Sequence, residues 1–306
     1  VTIFLQSQNV YGGTEYMIKN FHDKIYSDMN NINNYECVVM PGEIQPLTNL
    51  LKSNKEIILW LHNLPSQYDG NGKAFLNNIK FLEKLKYVIV PSEYHKVALT
   101  QETNISLEKI YVIPNAIEVR KSDLNRFNKP NKVKIVHTST FERGMPLLMD
   151  ALQYVKNDFT LEIYNDFYPD LSGDIPKIDS RVKFFGKTPK NTVLSALEDA
   201  HIFAYPAVYL ETFCLSFAEA MSAGLYSVVP AYGALEEVSN GFGDVYEYPE
   251  DFEKHIKIHA EKLDAAIDMI MDGKWNPQEQ IDCINSKYSW DSIKTQWLEF
   301  DKLLSN

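Results

Sequence analysis

Short runs of β-branched and aromatic residues alternate with helical patterns along this chain, and the alternation occurs twice. In the first half, residues 2–5, 36–40, 57–61, 87–90 and 110–113 read as strands. Residues 14–26, 45–52, 75–84 and 93–100 carry helical spacing between them. Strand-helix-strand alternation argues for α/β architecture with a doubly wound parallel sheet. A polar, charged segment without period, 118–132, reads as a linker. The alternation then restarts, with strands at 132–137, 160–164, 182–185, 202–205, 226–229 and 244–248. Its helices fall at 145–154, 190–200, the stretch after Cys214, 234–239, 252–271, 278–285 and 290–304. A length of 306 residues suits two such Rossmann-like domains, which we divide at 1–120 and 121–288. Two α/β units in succession imply a cleft between them. Ligands on such sheets bind at the carboxyl ends of strands, so the residues just after each strand are the ones to read.

Charge narrows the partners. The net charge is −11, which argues against general affinity for nucleic acid. Residues 1–125 hold 12 Lys and Arg against 13 Asp and Glu; residues 126–306 hold 18 against 28. Any weak peripheral contact with an anionic membrane therefore falls to the N-terminal half. No apolar run approaches the ~20 residues needed to cross a bilayer. The chain opens directly on a strand pattern without a signal peptide, and its lack of an initiator Met suggests a trimmed N-terminus. Three scattered cysteines, Cys37, Cys214 and Cys283, form neither a disulfide framework nor a metal spacing, which fits a reducing, cytoplasmic setting.

One stretch concentrates the chemistry. After the apolar run 202–205 come Glu211, an apolar turn, and a helix of small residues that contains Glu219 and ends at Gly224. With the helix starting near Cys214, both carboxylates stand near a helix N-terminus, where outward amides and the dipole favour an anion. Carboxylates beside an anion site contact ligand hydroxyls, so the pattern suggests a sugar nucleotide. Gly12 and Gly13, followed by Thr14 at a helix start, suit either close approach to a phosphate or a plain capped turn. His62, after the third strand, is a hydrogen-bond donor for a cleft or a satisfied strand-end histidine. The run Asp69-Gly70-Asn71-Gly72 lacks the ligands of a calcium loop and reads as a flexible turn. His255 and His259 have a zinc-compatible spacing, but no third ligand is evident and the flanking lysines suggest a solvated face. No metal site is expected.

Glu211 and Glu219, with seven residues between, resemble the E-x7-E motif of retaining glycosyltransferase family 4, which has the GT-B fold. The surroundings resemble that family too: Ala218 to Gly224, Tyr226 to Pro230, Tyr232 to Val238, Val182 to Gly186, Val112 to Glu118 and Gly12 to Glu15. Tyr288-Ser289-Trp290 precedes a last helix like the one that crosses back to the N-terminal domain in that family, so 289–306 is set apart. The resemblance implies that Glu219 binds ribose hydroxyls and Glu211 those of the transferred sugar. The amides around Thr212, Phe213, Cys214 and Leu215 would face the diphosphate and sugar. Gly12 and Gly13 would approach the diphosphate, His62 would face the sugar, and Gly186 and Lys187 would lie where the base is held. The family often has Arg after the first strand of the second domain and a Lys-Gly pair beyond it. Here Thr138 and Arg143-Gly144 stand in those places, leaving Arg143 as the single cation on the leaving diphosphate. The implied reaction is metal-independent transfer, with retention, from a donor such as a UDP- or GDP-sugar to a glycan, lipid-linked sugar or other hydroxyl. An epimerase or phosphorylase of the same fold, or a non-catalytic sugar-nucleotide or glycan-binding protein, would also use these glutamates.

Overall fold

The computed structural model describes residues 13–39, 51–68, 70–165 and 179–305. The expected strand at 2–5, Gly12 and most of the expected helix at 45–52 lie outside them. The chain divides into two compact units, one formed by 1–116 together with 288–306, the other by 117–287.

The first unit is built on four parallel strands in the order β1 (Glu36–Val39), β2 (Ile57–Trp60), β3 (Leu85–Val90) and β4 (Ile110–Val112). Strand β2 is buried at every position, as an apolar run covered on both faces requires. Its helices are α1 (Gly13–Lys24), α2 (Gly70–Leu76), α3 (Ile79–Lys84) and α4 (Glu93–Glu102). The single helix expected at 75–84 is thus two. Asn78 breaks it, because its side chain accepts from the Lys80 and Phe81 amides and restarts the helix as an N-cap. From Gly70 onward the expected turn is helical.

The last helix, α11 (Trp290–Leu303), belongs to this first unit. Ser289 caps it, and Trp290, Ile293, Trp297 and Phe300 recur at helical spacing on its buried face. Trp297 packs at 4.6 Å from Phe21 and 5.0 Å from Trp60. Its carboxylate Asp301 accepts from the amides of Asn30 at 2.9 Å and Ile32 at 2.7 Å, and from Asn31 at 3.1 Å. Asp301→Ala leaves those amides without their charged acceptor, and a loss of about 2–4 kcal/mol is expected in chemical denaturation. Asp301→Asn, which keeps one acceptor, should lose less.

The second unit carries six parallel strands in the order β10-β9-β8-β5-β6-β7. They are β5 (Val133–His137), β6 (Phe159–Ile163), β7 (Val182–Phe184), β8 (Ile202–Ala204), β9 (Tyr226–Ala231) and β10 (Asp244–Glu247). The helices are α5 (Met145–Ala151), α6 (Lys190–Asp199), α7 (Leu215–Ser222), α8 (Leu235–Ser239), α9 (Phe252–Met271) and α10 (Gln278–Tyr288), whose last residue is assigned to the first unit. This is a doubly wound order whose direction reverses between β5 and β8, and ligands bind such sheets at that reversal. A core of Val133, Ile135, Leu148, Leu161, Leu263 and Ile267 packs α5 and α9 on one face.

Helix α9 corrects one expectation. His255 and His259 are buried, not solvated. His255 Nε2 and His259 Nδ1 meet the Tyr246 hydroxyl, at 2.9 and 3.0 Å, so their i, i+4 spacing serves a core hydrogen-bond bridge. Among the described residues, no helix is long and apolar enough to cross a membrane.

Candidate functional site

The loops after β5 and β8 meet because a glycine lets them. Gly144 has φ +144°, and a Cβ there would stand 2.4 Å from the Pro206 carbonyl oxygen. The Val208 amide also donates to the Arg143 carbonyl at 3.0 Å. Backbone contact thus sets Arg143 beside the loop that carries Glu211. That loop is held from its other side by Gly233, where a Cβ would stand 2.2 Å from the Glu211 carbonyl oxygen. The same oxygen accepts from the Ala234 amide at 2.8 Å.

Glu211 is 3% exposed. Arg143 Nη1 lies 3.1 Å from its Oε1 and 3.4 Å from its Oε2. The Tyr205 hydroxyl donates to Oε1 at 2.6 Å. Arg143 also lies over the Tyr209 ring, 4.1 Å from its centroid. Burial, and then the Glu211 charge, push the Tyr205 phenol well above its ordinary range, so it stays a donor. Behind it, His137 Nδ1 at the end of β5 meets the Ala204 carbonyl at 2.9 Å. A carboxylate with two fixed donors has a fixed orientation, which suits it to reading hydroxyls.

Helix α7 is preceded by Cys214, whose φ of +74° is a left-handed conformation that residues other than glycine rarely hold. Its thiol meets the Ser216 hydroxyl at 3.5 Å and faces the Phe217 amide. The first amides of a helix have no partner within it, which suits the start of α7 to an anion. Burial, and then Glu211, raise the Cys214 thiol, which keeps it protonated and removes it as a nucleophile. Phe213 and Cys214 are buried, while Thr212 and Leu215 are half-buried.

Glu219, on α7, is 2% exposed. Lys190, in the first turn of α6, donates to its Oε2 at 2.6 Å and stands 2.6 Å from Oε1. The second unit thus brings Arg143 onto Glu211 and Lys190 onto Glu219. Gly186, with φ +65°, and Lys187 lie in the loop between β7 and α6.

His62 and Gly13 belong to the first unit. Gly13 opens α1, and Gly12 lies outside the described residues. His62 follows β2, its ring 4.8 Å from that of Trp60, and burial pushes its pKa down to about 4. At neutral pH its imidazole is uncharged. Among the described residues, no three His, Cys, Asp or Glu side chains form a group that could hold a metal ion.

Sequence reasoning missed Tyr205 and Lys190. Lys190 left a signal, since a cation in the first turn of a helix opposes the dipole. Tyr205 left none, being one more aromatic in an apolar run.

Residues 132–262 match the family model described as "Glycosyl transferases group 1". A phosphatidylinositol N-acetylglucosaminyltransferase subunit from Arabidopsis thaliana is 23% identical over 239 residues, covering 73% of this chain and 51% of the relative. The chain thus spans about half the length of the curated relative it matches. The structure of Anabaena HepE in complex with UDP and glucose aligns with a TM-score of 0.69 at 17% identity, over 89% of this chain and 78% of that one. A glycosyltransferase from Rickettsia africae gives 0.70 at 16%, over 98% and 83%. Sucrose-phosphate synthase from Thermosynechococcus elongatus gives 0.68 at 17%, over 99% and 80%. These structural neighbours are GT-B glycosyltransferases, and this chain has their fold of two Rossmann-like α/β domains.

Proposed function

We propose that the chain is a retaining, metal-independent glycosyltransferase that moves a sugar from a nucleotide-diphosphate donor to a hydroxyl acceptor. The observation that carries this reading is the pair of buried carboxylates, Glu211 before α7 and Glu219 within it, each holding a cation. Between them lies the start of α7, where amides point outward. That set of groups matches a ligand with hydroxyls at both ends and phosphates between. In this reading Glu219 takes the ribose hydroxyls and Glu211 those of the transferred sugar. The amides from Thr212 to Leu215 take the diphosphate, with Arg143 stabilising it as it leaves. Gly12, Gly13 and His62 act from the other domain, on diphosphate and sugar, and Gly186 and Lys187 hold the base. No side chain here serves as a covalent nucleophile, so attack comes on the face the diphosphate leaves, and the leaving phosphate takes the acceptor proton.

The neighbour bound to UDP makes UDP-sugars the first donors to test, with GDP- and ADP-sugars beside them. The name of the curated relative puts phosphatidylinositol first among lipid acceptors, with glycans beside it. A cytoplasmic setting fits the free cysteines. A thermal-shift panel should show one nucleotide class raising the melting temperature, because a ligand of the native state stabilises it. Transfer with the donor's anomeric configuration kept, unaffected by EDTA, completes the reading. An inverted product would sink the retaining assignment, and no shift or turnover with any donor would sink the enzyme.

A further inference from the structure

The second unit sets two cations against two buried carboxylates, and the charges of these two pairs cancel. A nucleoside diphosphate brings two ionised phosphates, which need cations, and ribose hydroxyls, which need acceptors. Paired as they stand, Lys190 and Glu219 offer little to either. A ligand carrying both kinds of group can exchange partners with both members of that pair at once.

Lys190 is the half of its pair that can move. Its side chain is 36% exposed, whereas that of Glu219 is 1% exposed, so the ammonium covers the carboxylate from the solvent side. It meets both carboxylate oxygens, Oε2 and Oε1, each at 2.6 Å. An acceptor on Glu219 therefore becomes reachable when the ammonium swings aside. The residue sits where a fixed cation is disfavoured by its own helix, at the start of α6. Its flexible four-carbon stem and three rotatable donors suit a group that changes partner.

We propose that Lys190 is a phosphate-binding residue stored on Glu219: ribose hydroxyls take over the carboxylate, and the ammonium passes to the donor's diphosphate. This rests on the reading of the site as a nucleotide-sugar site and adds a second cation to Arg143. It makes hydroxyl and phosphate recognition interdependent, so a ligand with only one of the two binds poorly.

Titration of the full chain with UDP and with uridine, which keeps the hydroxyls and lacks the phosphates, separates this role from that of a plain counter-ion. The ratio of the uridine Kd to the UDP Kd should fall roughly tenfold in Lys190→Met, the loss of one charge-assisted bond to phosphate. Lys190→Arg should retain most of the ratio. Because Lys190→Met leaves a buried carboxylate unpaired, Lys190→Met/Glu219→Gln is measured beside it, and its ratio should fall as well. An unchanged ratio in both Met-containing variants, with UDP still bound, overturns the proposal and leaves the nucleotide site standing. No binding of UDP, or of GDP tested in parallel, to the unaltered chain removes the nucleotide site itself and this inference with it.

Discussion

Arg143→Ala is expected to slow sugar transfer about 10²–10³-fold at saturating donor, the usual cost of removing one preorganised contact to developing charge. The guanidinium is placed by backbone, through the Val208 amide on its own carbonyl, and oriented by Glu211 and the Tyr209 ring. Its removal leaves Glu211 with the Tyr205 hydroxyl as a remaining donor, so the fold should survive with a modest fall in melting temperature. Arg143→Lys keeps the charge and gives up the fork and the planar stacking, and should fall between the two. Single-turnover rates with donor in excess decide the matter. A variant that keeps full kcat and only raises KM would mean that Arg143 binds donor without stabilising its departure.

The second large effect belongs to a residue with no side chain. Gly144→Ala would drive a Cβ to within 2.4 Å of the Pro206 oxygen and 3.0 Å of its carbonyl carbon, both backbone atoms that no rotamer change can move. A loss of about 3–5 kcal/mol is expected in urea denaturation. Activity should fall beyond what the folded fraction explains, because the same clash pushes Arg143 off Glu211. Gly241→Ala provides the comparison. Gly241 also has positive φ, at +84°, but nothing lies within 4 Å of the added carbon. Only the local conformational penalty of about 1–2 kcal/mol applies there. Equal losses at the two positions would show that φ alone, and not the contact with Pro206, makes Gly144 necessary.

Both predictions turn on contacts between segments far apart in the chain, and that is also where sequence reading stopped. Helix α9 was legible to its ends, since Asp251 caps it and a 3.6-residue apolar period runs through it. The strands β5, β6, β8 and β9 were legible as short, mostly apolar runs between polar turns, and β7 and β10 by the β-branched and aromatic residues they carry. The break at Asn78 was not: the apolar spacing continues through it, and only the side chain's bond to the next amides marks the stop. His255 and His259 misled for a related reason. Their lysine neighbours describe the helix's wet face, while the partner that buries them, Tyr246, stands on another element. At the candidate site, Glu211, Glu219 and Arg143 could be proposed from local pattern and resemblance. That Lys190 meets Glu219, 29 residues on, is a fact of packing between α6 and α7, which neither helix carries alone.

The bond between Asp301 and the amides of residues 30–32 bears on how such a chain is made. The first unit is assembled from both ends of the sequence, and the second is one continuous stretch between them. During synthesis the middle can therefore fold as soon as it emerges. The earlier-born sheet must wait for the last helix to leave the ribosome before Phe21 and Trp60 gain their partner, Trp297. Until then those two aromatic side chains lack that cover. A chain cut before Trp290 would display them as an apolar surface of the kind that quality control recognises.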